Sequence, residues 1–156
     1  MQPLDLIRTA RRLSRGRSRG RPRQADLRRA VSTAYYALFH ALCRLCADAL
    51  IGTGASRNRP AWKQVYRALE HRDCKKRCSG NLLQKGFPAE VQHFCEIFVQ
   101  LQDKRHKADY APDAYFTLSN VEQDIFYAEE AIHGIAALSA QDKKAFAIWV
   151  LLKQRP

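Results

Sequence analysis

Eight residues, DKRHKADY at positions 103–110, hold the densest set of reactive groups in this 156-residue chain. Arg105 is a permanent cation, His106 an imidazole that titrates near neutrality, Asp109 a carboxylate and Tyr110 a phenol. Cleaving a phosphodiester beside a 2′-hydroxyl without metal needs an acid or base near neutral pH and a cation for the charge on the phosphorane. Arg105, His106 and Tyr110 are therefore the candidate catalytic residues. A second reading is structural. Arg105 continues the apolar stripe Phe94, Phe98, Leu101 by one more step of four, so it points toward the packed side. A charge there must find a partner, and Asp109, four residues on, can supply it. His106 lies about 100° around the helix from Arg105 and could act across a dimer interface or be an ordinary exposed histidine. Tyr110 could contact a phosphate or stack on a base, or simply pack the helix end.

Two further groups could meet the same ligand. Tyr36 and His40 are four apart, share a helix face, and could line a groove with Arg105; aromatics at this spacing also serve as core. The N-terminus is a basic block. Residues 1–30 contain ten Arg against Asp5 and Asp26, a local charge of +8 out of the chain's +12. Such a block attracts polyanions, and Arg contacts phosphate bidentately. This makes Arg17, Arg19, Arg21, Arg23 and Arg28 candidate nucleic-acid contacts, unless the block is only a solvated loop. Asp109 and Tyr110 join Arg105 in the candidate binding set.

Four of the five cysteines form two close pairs, Cys43-x2-Cys46 and Cys74-x3-Cys78, with His40 and His71 each three residues upstream. The spacing is within the range of metal pairs. No metal or other cofactor is expected, however. Cys43 and Cys46 lie in an apolar helix as small hydrophobes, and the cations around Cys74 and Cys78 repel a dication. Those cations should instead lower the two thiol pKa values and make the thiols reactive. An odd cysteine count without a secretory signal suits reduced thiols in a cytosol.

The elements that must position these groups are helical. Residues 4–15 read as a short basic helix, and 16–23, with two Gly and a Pro, as a loop. Residues 24–50 carry two adjacent apolar stripes, one through Val31, Tyr35, Leu38 and Leu42, the other through Tyr36, Phe39, Cys43 and Cys46. So wide a face demands cover from several sides, so this is a central helix. A helix over about 60–77 follows, opened by Pro60, and another begins at Pro88. The next starts near Ser119, where Ser119 and Glu122 have capping-box spacing, and Ser139 with Asp142 can open a final helix. The fold class is all-α: an antiparallel four-helix bundle with additional short helices. The organisation is one domain over 1–156, with the basic helix and Arg-rich loop at 1–23, the bundle core at 24–137 and a C-terminal helix at 138–156. No stretch approaches the roughly 18 consecutive apolar residues of a membrane span, and no membrane association is expected.

RRAVSTAYYALFHAL at 28–42, followed by the Arg-x-x-Ala-Asp-Tyr of 105–110, resembles the HEPN superfamily, closest to its small stand-alone bacterial members. The resemblance covers about residues 4–137. It implies a HEPN-like four-helix bundle that forms a homodimer, with the Arg motif near the dimer interface. It also implies a cytoplasmic protein associated with RNA or nucleotide, in a toxin–antitoxin or defence-type system, in some members beside a nucleotidyltransferase-like partner for which Tyr110 could be an acceptor. Many members are metal-independent endoribonucleases using R-x(4–6)-H. Here the pattern departs. From Arg105 the histidine would fall at Tyr110, Ala111 or Pro112, and no His stands at the required distance from an Arg. The expected function is RNA or nucleotide association without that dyad. The alternatives are a ribonuclease with an altered site around Arg105 and His106, and a dimeric helical adaptor for an acidic protein.

Overall fold

A computed structural model describes residues 1–16 and 20–156. Seven helices follow in order: α1 (Pro3–Arg15), α2 (Gln24–Ile51), α3 (Arg59–Tyr66), α4 (His71–Cys78), α5 (Ala89–Tyr110), α6 (Leu118–Ala136) and α7 (Ala140–Leu151). The protein is all-α, with no strand among the described residues.

The 28-residue α2 is the axis of the molecule. Its two apolar stripes are both used, and Ala30, Val31, Ala34, Tyr35, Leu38 and Leu42 are fully buried. By length and composition α2 could also cross a membrane, but 56% of its most apolar window lies inside the bundle. It is covered by α1, α5, α6, α3 and α7. Cross-contacts give the directions. Arg28 reaches the carbonyls of Ala108 and Ala111 while Tyr35 meets Phe98, so α2 and α5 are antiparallel. Lys104 pairs with Asp124, and Gly134 lies against Glu90, so α5 and α6 are antiparallel too. Arg44 near the end of α2 bonds Gln2 at the start of α1. Arg11 of α1 pairs with Glu129 of α6. The up-and-down bundle is thus α1, α2, α5 and α6, with α1 an integral member through fully buried Ile7 and Ala10.

The stretch 60–77 is two helices, not one. The stripe Trp62, Tyr66, Leu69 would continue onto Asp73, Lys76 and Arg77, which are polar, whereas the residues that need burial are Cys74 and Cys78. One helix cannot serve both phases. The chain breaks after Tyr66, Leu69 dips to 9% exposure, Glu70 is extended, and α4 starts afresh with its cysteines inward.

Two helix starts also differ. Thr117, not Ser119, caps α6: its hydroxyl accepts from the Asn120 N–H at 3.2 Å, and Ser119 is already within the helix. Pro88 occupies the cap position of α5, one residue before the helix proper. Ser139 caps α7 as its spacing predicts, accepting from Asp142 N–H at 3.1 Å. Gly52 closes α2 at φ 107°, a left-handed conformation that disfavours any side chain.

All five cysteines are free and buried. Cys74 and Cys78 are the opposite of the activated thiols their neighbours suggest. Arg72 and Lys76 are exposed while the thiols face the core. Burial pushes the Cys74 thiol up to about 12, as it does that of Cys43. A contact with Cys95 and burial push Cys78 up as well.

Candidate anion-binding site between α2, α4 and α5

Antiparallel packing of α2 on α5 sets Arg105 against the two adjacent tyrosines of α2. Its guanidinium carbon lies 5.2 Å from the centre of the Tyr35 ring and 5.8 Å from that of Tyr36. Both are cation–π distances. Tyr35 is fully buried and braced by Phe98, its ring centre 5.4 Å away, so it forms a fixed wall. The Arg105 side chain retains 15% exposure.

The expected pair with Asp109 forms, but at 3.5 Å, the outer limit of a hydrogen bond. Asp109 has a closer partner: the Ser32 hydroxyl donates to its other oxygen at 2.6 Å. The guanidinium therefore meets both tyrosine rings, whose centres are 5.6 Å apart, on one side, and Asp109 only at the limit of contact. Its Nε is buried with no hydrogen-bond partner, as is Oε1 of Gln102 one helical turn earlier. Unsatisfied buried polar atoms cost on the order of 1–3 kcal/mol each, so two in one turn mark a local cost that function can explain.

A histidine that the sequence marks only by its spacing from Cys74 completes the site. His71, first in α4, stacks on Phe39 at 3.9 Å between ring centres, and its Nδ1 is 2.6 Å from the Tyr35 hydroxyl. Gln102 donates to the His71 carbonyl at 3.1 Å, tying α4 to α5. Burial first, then the Arg105 charge, then His40, hold the His71 imidazole below its ordinary pKa. Burial raises the Tyr35 phenol well above its usual value, so that hydroxyl keeps its proton beside Nδ1. The histidine's signal in the sequence is the i, i+3, i+7 series His71, Cys74, Cys78, which marks one inward face of a separate helix.

The remaining candidates disperse. His40 turns to α3, its Nδ1 2.6 Å from the Tyr66 hydroxyl, and burial lowers its pKa. Tyr36 is the one of that pair that reaches Arg105. His106 and Tyr110 are exposed, with ring centres 5.0 Å apart, and are outer neighbours of each other rather than of the guanidinium. Arg28 donates to the carbonyls of Ala108 (2.9 Å), Ala111 (2.8 Å), Pro112 (3.2 Å) and Ala114, and lies over the Phe116 ring at 5.7 Å. It clamps the carbonyl end of α5 and so positions Asp109. Arg23 pairs with Asp26 at 3.1 Å, and Arg21 is exposed. Arg17 and Arg19 lie outside the described residues.

Among the described residues no group of three or more His, Cys, Asp or Glu side chains is arranged to hold a metal ion. The arrangement sets a largely buried cation against two tyrosine rings, with a carboxylate at the limit of contact. No family model, curated protein or solved structure matches this chain.

Proposed function

We propose that this chain binds RNA or a nucleotide at the Arg105 site, as a HEPN-like protein that does not cleave what it binds. The observation that carries this is how Arg105 is held. Two tyrosine rings hold the cation from one side while its terminal N–H groups keep, among the described residues, one long contact, to Asp109. An arginine held against aromatic rings with its terminal N–H groups short of close acceptors supports phosphate recognition through them. Tyr36, half-buried beside it, offers a surface against which a base can stack. The basic N-terminal segment adds non-specific attraction for the same polyanion.

A homodimer fits this reading, since Tyr110, Tyr115, Phe126 and Tyr127 all leave rings exposed on α5, α6 and the segment between them. The toxin–antitoxin or defence context and the cytoplasmic setting rest on the family resemblance. Tyr110, at 68% exposure, suits the acceptor role for a nucleotidyltransferase-like partner.

One observation favours the ribonuclease reading: His71 is close enough for the Arg105 charge to lower its pKa, an Arg–His pairing assembled from two elements. Against it stands how His71 is held: its ring is stacked on Phe39 and its Nδ1 is already engaged by the Tyr35 hydroxyl.

Photo-crosslinking with an oligoribonucleotide containing 4-thiouridine, followed by peptide mapping, tests the site. Crosslinks are expected in 31–40 and 103–110, reduced at least tenfold in Arg105→Ala. Crosslinks confined to residues 1–30 would place binding in the basic block and remove Arg105 from the function.

A further inference from the structure

A large cavity lies elsewhere. It is a groove of about 910 Å³ on the C-terminal half of α2, walled by the start of α1, the end of α6 and α7. Its floor is aliphatic, formed by Leu45, Ile132, Ile135 and Ile148, of which Ile148 is 43% exposed. Alanines such as Ala145 leave it hollow. The two rims differ. On the α2 rim, Arg44 is matched by Asp48 at 3.5 Å. On the α7 rim, Lys143 and Lys144 have no ion-pair partner among the described residues.

We infer that this groove receives an amphipathic helix of a partner protein, laid apolar side down with acidic residues against Lys143 and Lys144. Size supports a helix. Two turns, about 7 residues and roughly 10 Å long by 10 Å across, occupy on the order of 800 Å³, close to the groove's volume. Shape supports it too, because an open channel between helices with an aliphatic floor takes i, i+3, i+4, i+7 anchors. Charge sets the sign. One rim is internally neutral and the other carries two unmatched cations, so an acidic flank is favoured and a basic one repelled.

The test is selection of a displayed library of 14-residue helical peptides on the full-length protein. Clones are then measured by fluorescence anisotropy against wild type, Ala145→Trp and the double variant Lys143→Glu/Lys144→Glu. All three positions are at the surface, and a thermal melt checks each fold. Enriched clones should be amphipathic and acidic. They should weaken at least tenfold on Ala145→Trp and on charge reversal, and Glu→Lys versions should regain binding to the reversed protein. Recovery of no binders, or of binders indifferent to Ala145→Trp, would overturn the proposal. Two other occupants would overturn it as well: dodecanoate binding that Ala145→Trp abolishes where no peptide binds, or a wild-type dimer that becomes monomeric in Ala145→Trp by sedimentation.

Discussion

Arg105 is distinguished by what touches it: two phenol rings on one side and a carboxylate barely within reach. Lysine could keep the charge but not the planar stack or the fork of donors. Arg105→Lys should therefore lose nearly as much RNA affinity as Arg105→Ala, at least tenfold in an anisotropy titration. Tyr36→Phe should stay within about twofold of wild type, and Tyr36→Leu should not, because the ring rather than the hydroxyl makes the contact. An Arg105→Lys protein that binds like wild type would reduce the site to bulk charge. Arg105 and Asp109 were legible in the sequence because both lie on α5 at helical spacing. His71 was not. It stands 34 positions before Arg105 (105 − 71), and nothing local says that α4 turns back onto Tyr35. Spacing rules see one helix at a time, and this site draws on three.

At the scale of elements, caps and clamps decide boundaries that periodicity leaves loose. Thr117→Ala should lower stability by about 1 kcal/mol in denaturant melts, with Ser119→Ala near zero. The reverse order would restore Ser119 as the cap of α6. Arg28 offers a second check. Its guanidinium satisfies four carbonyls around the end of α5, and charged hydrogen bonds are worth roughly 1.5–3 kcal/mol. Arg28→Met should depress the melting temperature clearly. It should also speed amide exchange in 108–114, an effect that a purely RNA-contacting arginine would not produce. The sequence marks Arg28 only as one of many basic residues, because a long-range clamp on backbone carbonyls leaves no pattern. The long helices α2, α5 and α6 were legible from their stripes. The split of 60–77 was not, because no Gly or Pro marks it, and the break follows from a change in which face must be buried.

Among the described residues one apolar core runs from Ile7 of α1 to Val150 of α7. His40 and His71 both sit half-buried in it, with pKa values below the ordinary 6.5. Between those depressed values and 6.5 the unfolded chain binds more protons than the folded one, so stability rises with pH across that window and levels off above it. Melting temperature should fall as pH drops below 6.5, and a His40→Gln/His71→Gln protein should show a flatter profile there. An equally steep profile in that double variant would place the acid sensitivity elsewhere. The all-helical class was readable from the apolar stripes. That α1 would complete the bundle was harder to see, because its burying face is narrow and its outer face is crowded with arginine.

The most direct measurement is one gel: a labelled structured RNA with the purified protein, metal chelated, at low and moderate salt, wild type beside Arg105→Ala and His71→Gln. Wild type should give a salt-sensitive shift with intact RNA, and Arg105→Ala a shift at least tenfold weaker. RNA cut by wild type and left whole by both variants would contradict this, making the Arg105–His71 pair a ribonuclease centre.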